Sequence, residues 1–201
     1  MRTIHRAHGS RFGSFDHADR YDRWASRFLH GLYERVAADV AAAGLRDGAR
    51  VLDVGTGPGR VPLAIGHALP GLRVEGLDQS VQMIAQARRN ATEAGLDDRV
   101  GFTVGDVAEL PYADATFDLV VSTMSQHHWR DAAAGVRELR RVLRPGAQVW
   151  IYDLRLALGR AEAAARAAFP SPDLHRESLR TGWLPLRLIG RLAIDPAEAP
   201  V

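Results

Sequence analysis

Five short apolar runs punctuate the middle of the chain, and segments with helical periodicity separate them. The runs are Arg50 to Val54, Leu72 to Asp78, Arg99 to Asp106, Phe117 to Ser122 and Ala147 to Tyr152. Between them, apolar positions recur at three- and four-residue spacing over Gly59–Leu69, Val81–Ala94 and Ala132–Leu143, which predicts helices. Pro58 suits the first turn of the first of these, where a missing N–H costs nothing. Leu143-Arg144-Pro145-Gly146 closes the last, because proline cannot continue a helix and glycine suits the turn into a strand. Strands alternating with helices predict an α/β fold, with a parallel sheet covered on both faces.

The flanks are read the same way. His17 to Ala43 places Tyr21, Ala25, Phe28, Leu32, Val36 and Val40 on one stripe, an amphipathic helix, continuous or split, that leans on the sheet. Past Asp153, Leu158 to Phe169 reads as a helix broken by Pro170-Ser171-Pro172. Asp173 to Thr181 is expected to form another helix, and Leu184 to Ile194 a short antiparallel hairpin or one edge strand. Pro196 to Val201 reads as a frayed tail. One domain is expected: a helical segment over 1–46, a core over 47–153, and helices with edge strands over 154–201.

Composition narrows the chemistry. With 201 residues, 46% of them hydrophobic, the chain is long enough to bury a single core. No run is long or apolar enough for a transmembrane helix, and the basic first residues lack the apolar stretch of a secretory signal. There is no cysteine, which excludes thiolate metal sites and thiol nucleophiles and fits a cytoplasmic setting. All 26 basic residues other than histidine are arginine. Arginine raises the isoelectric point while the net charge stays at +2, so a high value is weak evidence for nucleic acid. The absence of lysine also removes Schiff-base chemistry.

Asp53-Val54-Gly55-Thr56-Gly57-Pro58-Gly59-Arg60 sits where the first strand turns into the first helix. Glycines there permit a tight turn and close approach of a ligand to the backbone. The spacing G-x-G-x-G is not the G-x-G-x-x-G of dinucleotide folds, since Arg60 stands at the third glycine, and a phosphate loop would need a lysine. The loop with its preceding Asp53 resembles the first motif of the class I S-adenosylmethionine-dependent methyltransferases, close to the type 11 small-molecule members. Asp78 ends the second strand, Gly105-Asp106-Val107 follows the third, and Phe117 to Ser122 and Arg141 to Gly146 resemble the family's later motifs in order. The resemblance spans about Ala49 to Asp153.

That resemblance implies a doubly wound, Rossmann-like sheet of seven mostly parallel strands, with an N-terminal helical lid and a C-terminal antiparallel hairpin for which the chain is short. It implies S-adenosyl-L-methionine as cofactor. Asp53, Gly55, Thr56, Gly57 and Gly59 would form the cradle, Asp78 and Gln79 would hold the ribose, and Gly105, Asp106 and Val107 the adenine. Ser122 would touch the methionine end, and Tyr21 would close over it. Plainer roles stand beside these: Asp53 as an organiser of the glycine loop, Asp78 as a helix cap, Asp106 as a turn cap, and Phe15, Tyr21 and Trp24 as simple core.

Methyl transfer asks mainly for positioning and a dry pocket, and for a base only where the acceptor must lose a proton. His127 and His128, in the loop after the fourth strand, are the candidate bases. Adjacent histidines without an HxxxH or carboxylate spacing do not suggest a metal. The expected partner is a small-molecule acceptor. No nucleic acid is expected, because the arginines of Ala132 to Pro145 (Arg137, Arg140, Arg141, Arg144) read as a solvated face without interleaved aromatics. No membrane is expected, and the sequence carries no signal of oligomeric state. The loop suits O-, N- and C-methylation alike. A cofactor-binding but catalytically silent partner protein, or a nicotinamide-dependent oxidoreductase, are the alternatives.

Overall fold

The computed structural model describes residues 18–180 and 188–195, with side chains from residue 29 onward. The chain runs α1 (Ala18–Ala42), β1 (Arg50–Val54), α2 (Arg60–Ala68), β2 (Arg73–Asp78), α3 (Val81–Ala94), β3 (Val100–Val104) and β4 (Phe117–Thr123). A single 3-10 turn (Gln126–His128) follows, then α4 (Ala132–Val142), β5 (Leu143–Leu154), α5 (Leu158–Ala168), β6 (Asp173–Ser178) and β7 (Ile189–Asp195). The seven strands form one sheet in the order β3-β2-β1-β4-β5-β7-β6. The first five are parallel, and β7 runs antiparallel to both of its neighbours.

Strand alternation sorts the apolar residues into two layers. Val51, Val74 and Val121 face α1, α2 and α3, where Leu32, Val36, Ile65 and Ile84 are buried. Leu52, Val120, Val149 and Ile151 face α4 and α5, against Val136, Leu139 and Leu158. Burying each such side chain contributes about 1.5–3 kcal/mol, so the sandwich is held by its two faces. Helix ends follow local chemistry. Ser80 caps α3 by accepting from the Met83 N–H at 3.3 Å, and Asp131 caps α4 by accepting from Ala134 at 2.8 Å.

The helix α1 is one continuous element. Its inner half is tied to the sheet through Asp39, which accepts from the Tyr152 hydroxyl at 2.9 Å and pairs with Arg35 at 2.7 Å and Arg191 at 3.3 Å. At the opposite end of the strands from the glycine loop, Asp118 accepts from the Arg50 N–H at 2.8 Å and pairs with Arg46 and Arg144.

Several expectations change. Residues 173–178 form the strand β6, not a helix: they pair with β7 along their whole length, and that ladder outweighs a weak helical pattern. The segment expected as a hairpin or edge strand is the single strand β7, inserted between β5 and β6 rather than at the edge. The short C-terminal stretch therefore completes all seven strands. Pro58 lies in the turn before α2, whose first turn contains Pro62 instead. The fifth strand begins already at Leu143, and Pro145-Gly146 is taken up as an irregularity in its register with β4, with Gly146 at φ 76°. The tail 196–201 lies outside the described residues.

Candidate functional site

The carboxyl ends of β1, β2, β4 and β5 meet where open α/β sheets bind ligands. The glycine loop leaves β1 there through two hydrogen bonds, Gly55 and Thr56 N–H both donating to the Leu77 carbonyl at 2.7 and 3.0 Å. Gly55 adopts φ 74°, and a Cβ on it would fall 1.8 Å from the Ser125 hydroxyl, so the loop after β4 is seated directly on this glycine. Gly57, at φ 54°, has nothing within 4 Å of where a side chain would be, leaving room for a ligand.

A recess opens beside Gly57, lined by Asp53, Thr56, Pro58, Arg60 and Val61 from the loop, by Thr123 and Met124 from the end of β4, and by Leu29 and Tyr33 from α1. Asp53 is 1% exposed, and neither of its carboxylate oxygens has a hydrogen-bond partner among the described residues. The hydroxyls of Thr56 and Thr123 are likewise unpartnered. Burial pushes the Asp53 pKa up to about 7, with the neighbouring Thr56 opposing and Asp78 adding to the shift. The Asp53 carboxylate makes no hydrogen bond to the backbone of the glycine loop. An orphaned buried carboxylate costs several kcal/mol, and a cationic ligand group in the recess would offset it.

Asp78 is half-buried at the end of β2. One of its oxygens accepts from the Gly57 N–H and the other from Ser80, each at 2.9 Å. Burial raises its pKa, and those two N–H donors oppose the rise. Since each carboxylate oxygen offers two lone pairs, one on each remains for a ligand. The helix cap is Ser80, so Asp78 is not needed for that role. Gln79 is exposed next to it. Gly105 returns its N–H to the Asp78 carbonyl at 3.0 Å, bringing the loop after β3 alongside. In that loop Asp106 is exposed and accepts from the Ala108 N–H at 2.9 Å, as a turn-capping aspartate does. Val107 packs on α4 near Gly135.

Ser122 lies near the end of β4, one residue before the recess wall. Alternation along β4 turns its hydroxyl to the α4–α5 side, where it is buried and unpartnered, while Thr123 and Met124 form the recess wall. Met124 takes φ 53°, an uncommon conformation for a non-glycine residue. Tyr21, with Phe15 and Trp24, lies outside the residues whose side chains are described. Leu29 and Tyr33 show where the same helix reaches the recess.

His127 is held by Asp153, a residue the sequence reading did not single out. The His127 Nδ1 lies 2.7 Å from Oδ1 of Asp153, and the His127 backbone N–H donates to Oδ2 at 3.1 Å. Asp153 is wholly buried and also accepts from the Leu154 N–H at 2.7 Å. A carboxylate on Nδ1 keeps the proton on that nitrogen and leaves Nε2 with its lone pair. The imidazole is 25% exposed, so it is within reach of an acceptor. The His128 ring lies against it, with centroids 3.9 Å apart and the planes tilted by 46°. Burial lowers the His128 pKa, and the neighbouring His127 lowers it further against the pull of Asp153. The signal for Asp153 was present in the sequence: an aspartate ending an apolar strand, as at Asp78. No cluster of three or more metal-binding side chains occurs among the described residues.

Comparison with known proteins agrees with this architecture. Residues 51–146 match the model of a family described as "Methyltransferase domain". The chain is 34% identical over 152 residues to 27-O-demethylrifamycin SV methyltransferase of Amycolatopsis mediterranei, covering 69% of this chain and 56% of that one. It is 33% identical over 144 residues to demethylmenaquinone methyltransferase of Porphyromonas gingivalis, covering 70% and 58%. The chain thus spans little more than half the length of these relatives. A SAM-dependent methyltransferase from Aquifex aeolicus shares the fold with a TM-score of 0.69 at 19% identity, covering 90% of this chain and 98% of that one.

Proposed function

Because the chain belongs to the class I S-adenosylmethionine-dependent methyltransferases, we propose that it transfers a methyl group to a hydroxyl of a small-molecule acceptor, with His127 as the general base. The observation that carries this reading is the His127–Asp153 pair at 2.7 Å in the loop after β4, the loop whose Ser125 is seated on Gly55. When bound, S-adenosyl-L-methionine supplies an electrophilic methyl group on a sulfonium. The residues present fit it: a buried carboxylate without a partner at Asp53, an open glycine at Gly57, and two spare lone pairs on Asp78.

In this assignment Asp53 pairs with the cofactor's ammonium, Asp78 accepts from the vicinal hydroxyls of the ribose with Gln79 alongside, and Gly105, Asp106 and Val107 border the adenine. Gly55, Thr56 and Gly59 shape the turn, Thr123 and Met124 wall the methionine end, and α1 covers it with Leu29, Tyr33 and the stretch that includes Tyr21. His127 Nε2 takes the acceptor's hydroxyl proton while Asp153 stabilises the imidazolium that forms. Such proton transfer typically contributes about 10²–10⁴-fold. Holding both reactants in place, away from water, supplies the larger share. The acceptors that the relatives' names carry, a rifamycin and a menaquinone precursor, support a small-molecule acceptor.

The test has two parts. Calorimetric titration with S-adenosylmethionine and S-adenosylhomocysteine, with NAD as control, is expected to give micromolar binding of the first two only. A panel of phenols and secondary alcohols, assayed for transfer of a labelled methyl group, is then expected to yield an O-methylated product that His127→Ala fails to form. Binding without transfer to any hydroxyl, or undiminished transfer by His127→Ala, would count against the base.

A further inference from the structure

Between β3 and β4 the chain leaves Asp78, to which Gly105 is tied, in a loop, residues 105–116, with no strand or helix of its own beyond an isolated bridge between Asp106 and Glu109. Such a loop needs an external support if it is to present Asp106 and Val107 in one geometry. The support comes from α4. Arg141 was expected on a solvated face, yet all five of its N–H donors are engaged. Its Nε and Nη2 donate to Glu138 at 2.8 and 2.7 Å, forming a forked pair. Nη2 also donates to the Leu110 carbonyl at 2.9 Å, and Nη1 donates to the Tyr112 carbonyl and to Asp114, both at 2.8 Å.

Glu138 completes the arrangement by accepting from the Leu110 N–H at 2.8 Å, so both backbone groups of Leu110 are bound by one ion pair. The loop's far end is tied to the end of α4 as well, with Ala115 and Thr116 N–H donating to the carbonyls of Arg141 and Val142 at 3.0 and 2.8 Å. A planar guanidinium can satisfy this set of directions, and an ammonium cannot.

We propose that Arg141 and Glu138 are the positioning residues of the adenosine end of the cofactor site. They act through the loop 105–116 and touch neither cofactor nor acceptor. The inference rests on the assignment of Asp106 and Val107 to the adenine given above. It predicts that losing the pair weakens ligands in proportion to their adenosine part alone. A general lesion of the fold would also weaken both ligands, but it would speed amide exchange in the sheet as well as in the loop.

The full chain and its variants are titrated with S-adenosylhomocysteine and with methylthioadenosine, which lacks the amino-acid end. Arg141→Gln is expected to weaken both ligands by the same factor, about tenfold, equivalent to about 1.4 kcal/mol. Arg141→Lys should behave like Arg141→Gln, because the lost element is the fork and not the charge. Asp53→Asn should weaken S-adenosylhomocysteine only. Asp114→Asn, whose side chain is 78% exposed, should change neither by more than about twofold. Backbone amides of 106–112 should exchange faster in Arg141→Gln, with β1, β4 and β5 unaltered.

Equal affinity of Arg141→Gln and wild type for both ligands would overturn the proposal, as would a loss confined to S-adenosylhomocysteine. Should Arg141→Gln fail to fold, Glu138→Gln, which leaves the three bonds from Arg141 to the loop, carries the test. A several-fold loss for both ligands supports the pair, and unchanged binding overturns it. A wild-type chain that binds neither ligand overturns the cofactor assignment itself, a failure distinct from a wild type that binds and a variant that binds equally well.

Discussion

Asp53 and Asp153 show how differently a buried carboxylate can be used. Asp53 has no partner among the described residues, whereas Asp153 beneath His127 has three. For Asp53 the pKa of the empty protein, about 7, lies above the unfolded value near 3.9. A carboxyl with a raised folded value costs stability as it ionises. Stability is therefore expected to fall as pH rises from about 4 to about 7 and to stay level above that. Asp53→Asn should flatten this limb and, at pH 8, leave the empty protein more stable by on the order of 4 kcal/mol, measured by urea unfolding. The same variant should lose roughly 10- to 150-fold in affinity for S-adenosylhomocysteine, the value of a charge-assisted contact of about 1.5–3 kcal/mol. Wild-type affinity should rise with pH through about 7 as Asp53 ionises, and decline above about 8 as the ligand's amine loses its proton. For His127, Asp153→Asn is expected to release the Nδ1–H tautomer, visible in nitrogen-15 spectra of the imidazole, and to cut methyl transfer by about 10²-fold or more.

Elements differ in how openly the sequence declares them. The strands β1, β2 and β4 and the helices α3 and α4 are written in local periodicity and in caps such as Ser80 and Asp131, because each buries one stripe or face against the sheet. The strand β6 is not so written. His175, Arg176 and Glu177 are all exposed, so its conformation comes from pairing with β7, a partner that lies later in the chain. The site divides along the same line. Asp53, Asp78 and the glycines sit at strand ends that periodicity locates, but the Asp153–His127 and Arg141–loop contacts join segments 26 or more residues apart in sequence. At this scale α1 gives a measurable case: Tyr152→Phe removes one of three partners of Asp39 and should cost about 1 kcal/mol in chemical denaturation, since Arg35 and Arg191 remain.

For the molecule as a whole, the recess joins α1 and α2 to the ends of the central strands β1 and β4, so a ligand there should stabilise the entire cooperative unit. At a hundredfold excess over its dissociation constant, S-adenosylhomocysteine is expected to add about 2.7 kcal/mol, raising the melting temperature by roughly 5–11 °C. NAD at the same concentration should leave it unchanged in differential scanning fluorimetry. The order of strands also bears on biosynthesis. Because β7 lies between β5 and β6, a ribosome-bound chain that has emerged only as far as β6 has an unpaired, strongly apolar β5 margin and a sixth strand with nothing to join. The nascent protein thus passes through a stage in which Val149 to Tyr152 offers a template for intermolecular pairing. Its yield should depend on how quickly translation carries residues 189–195 clear of the exit tunnel, and on the chaperones that meet it there.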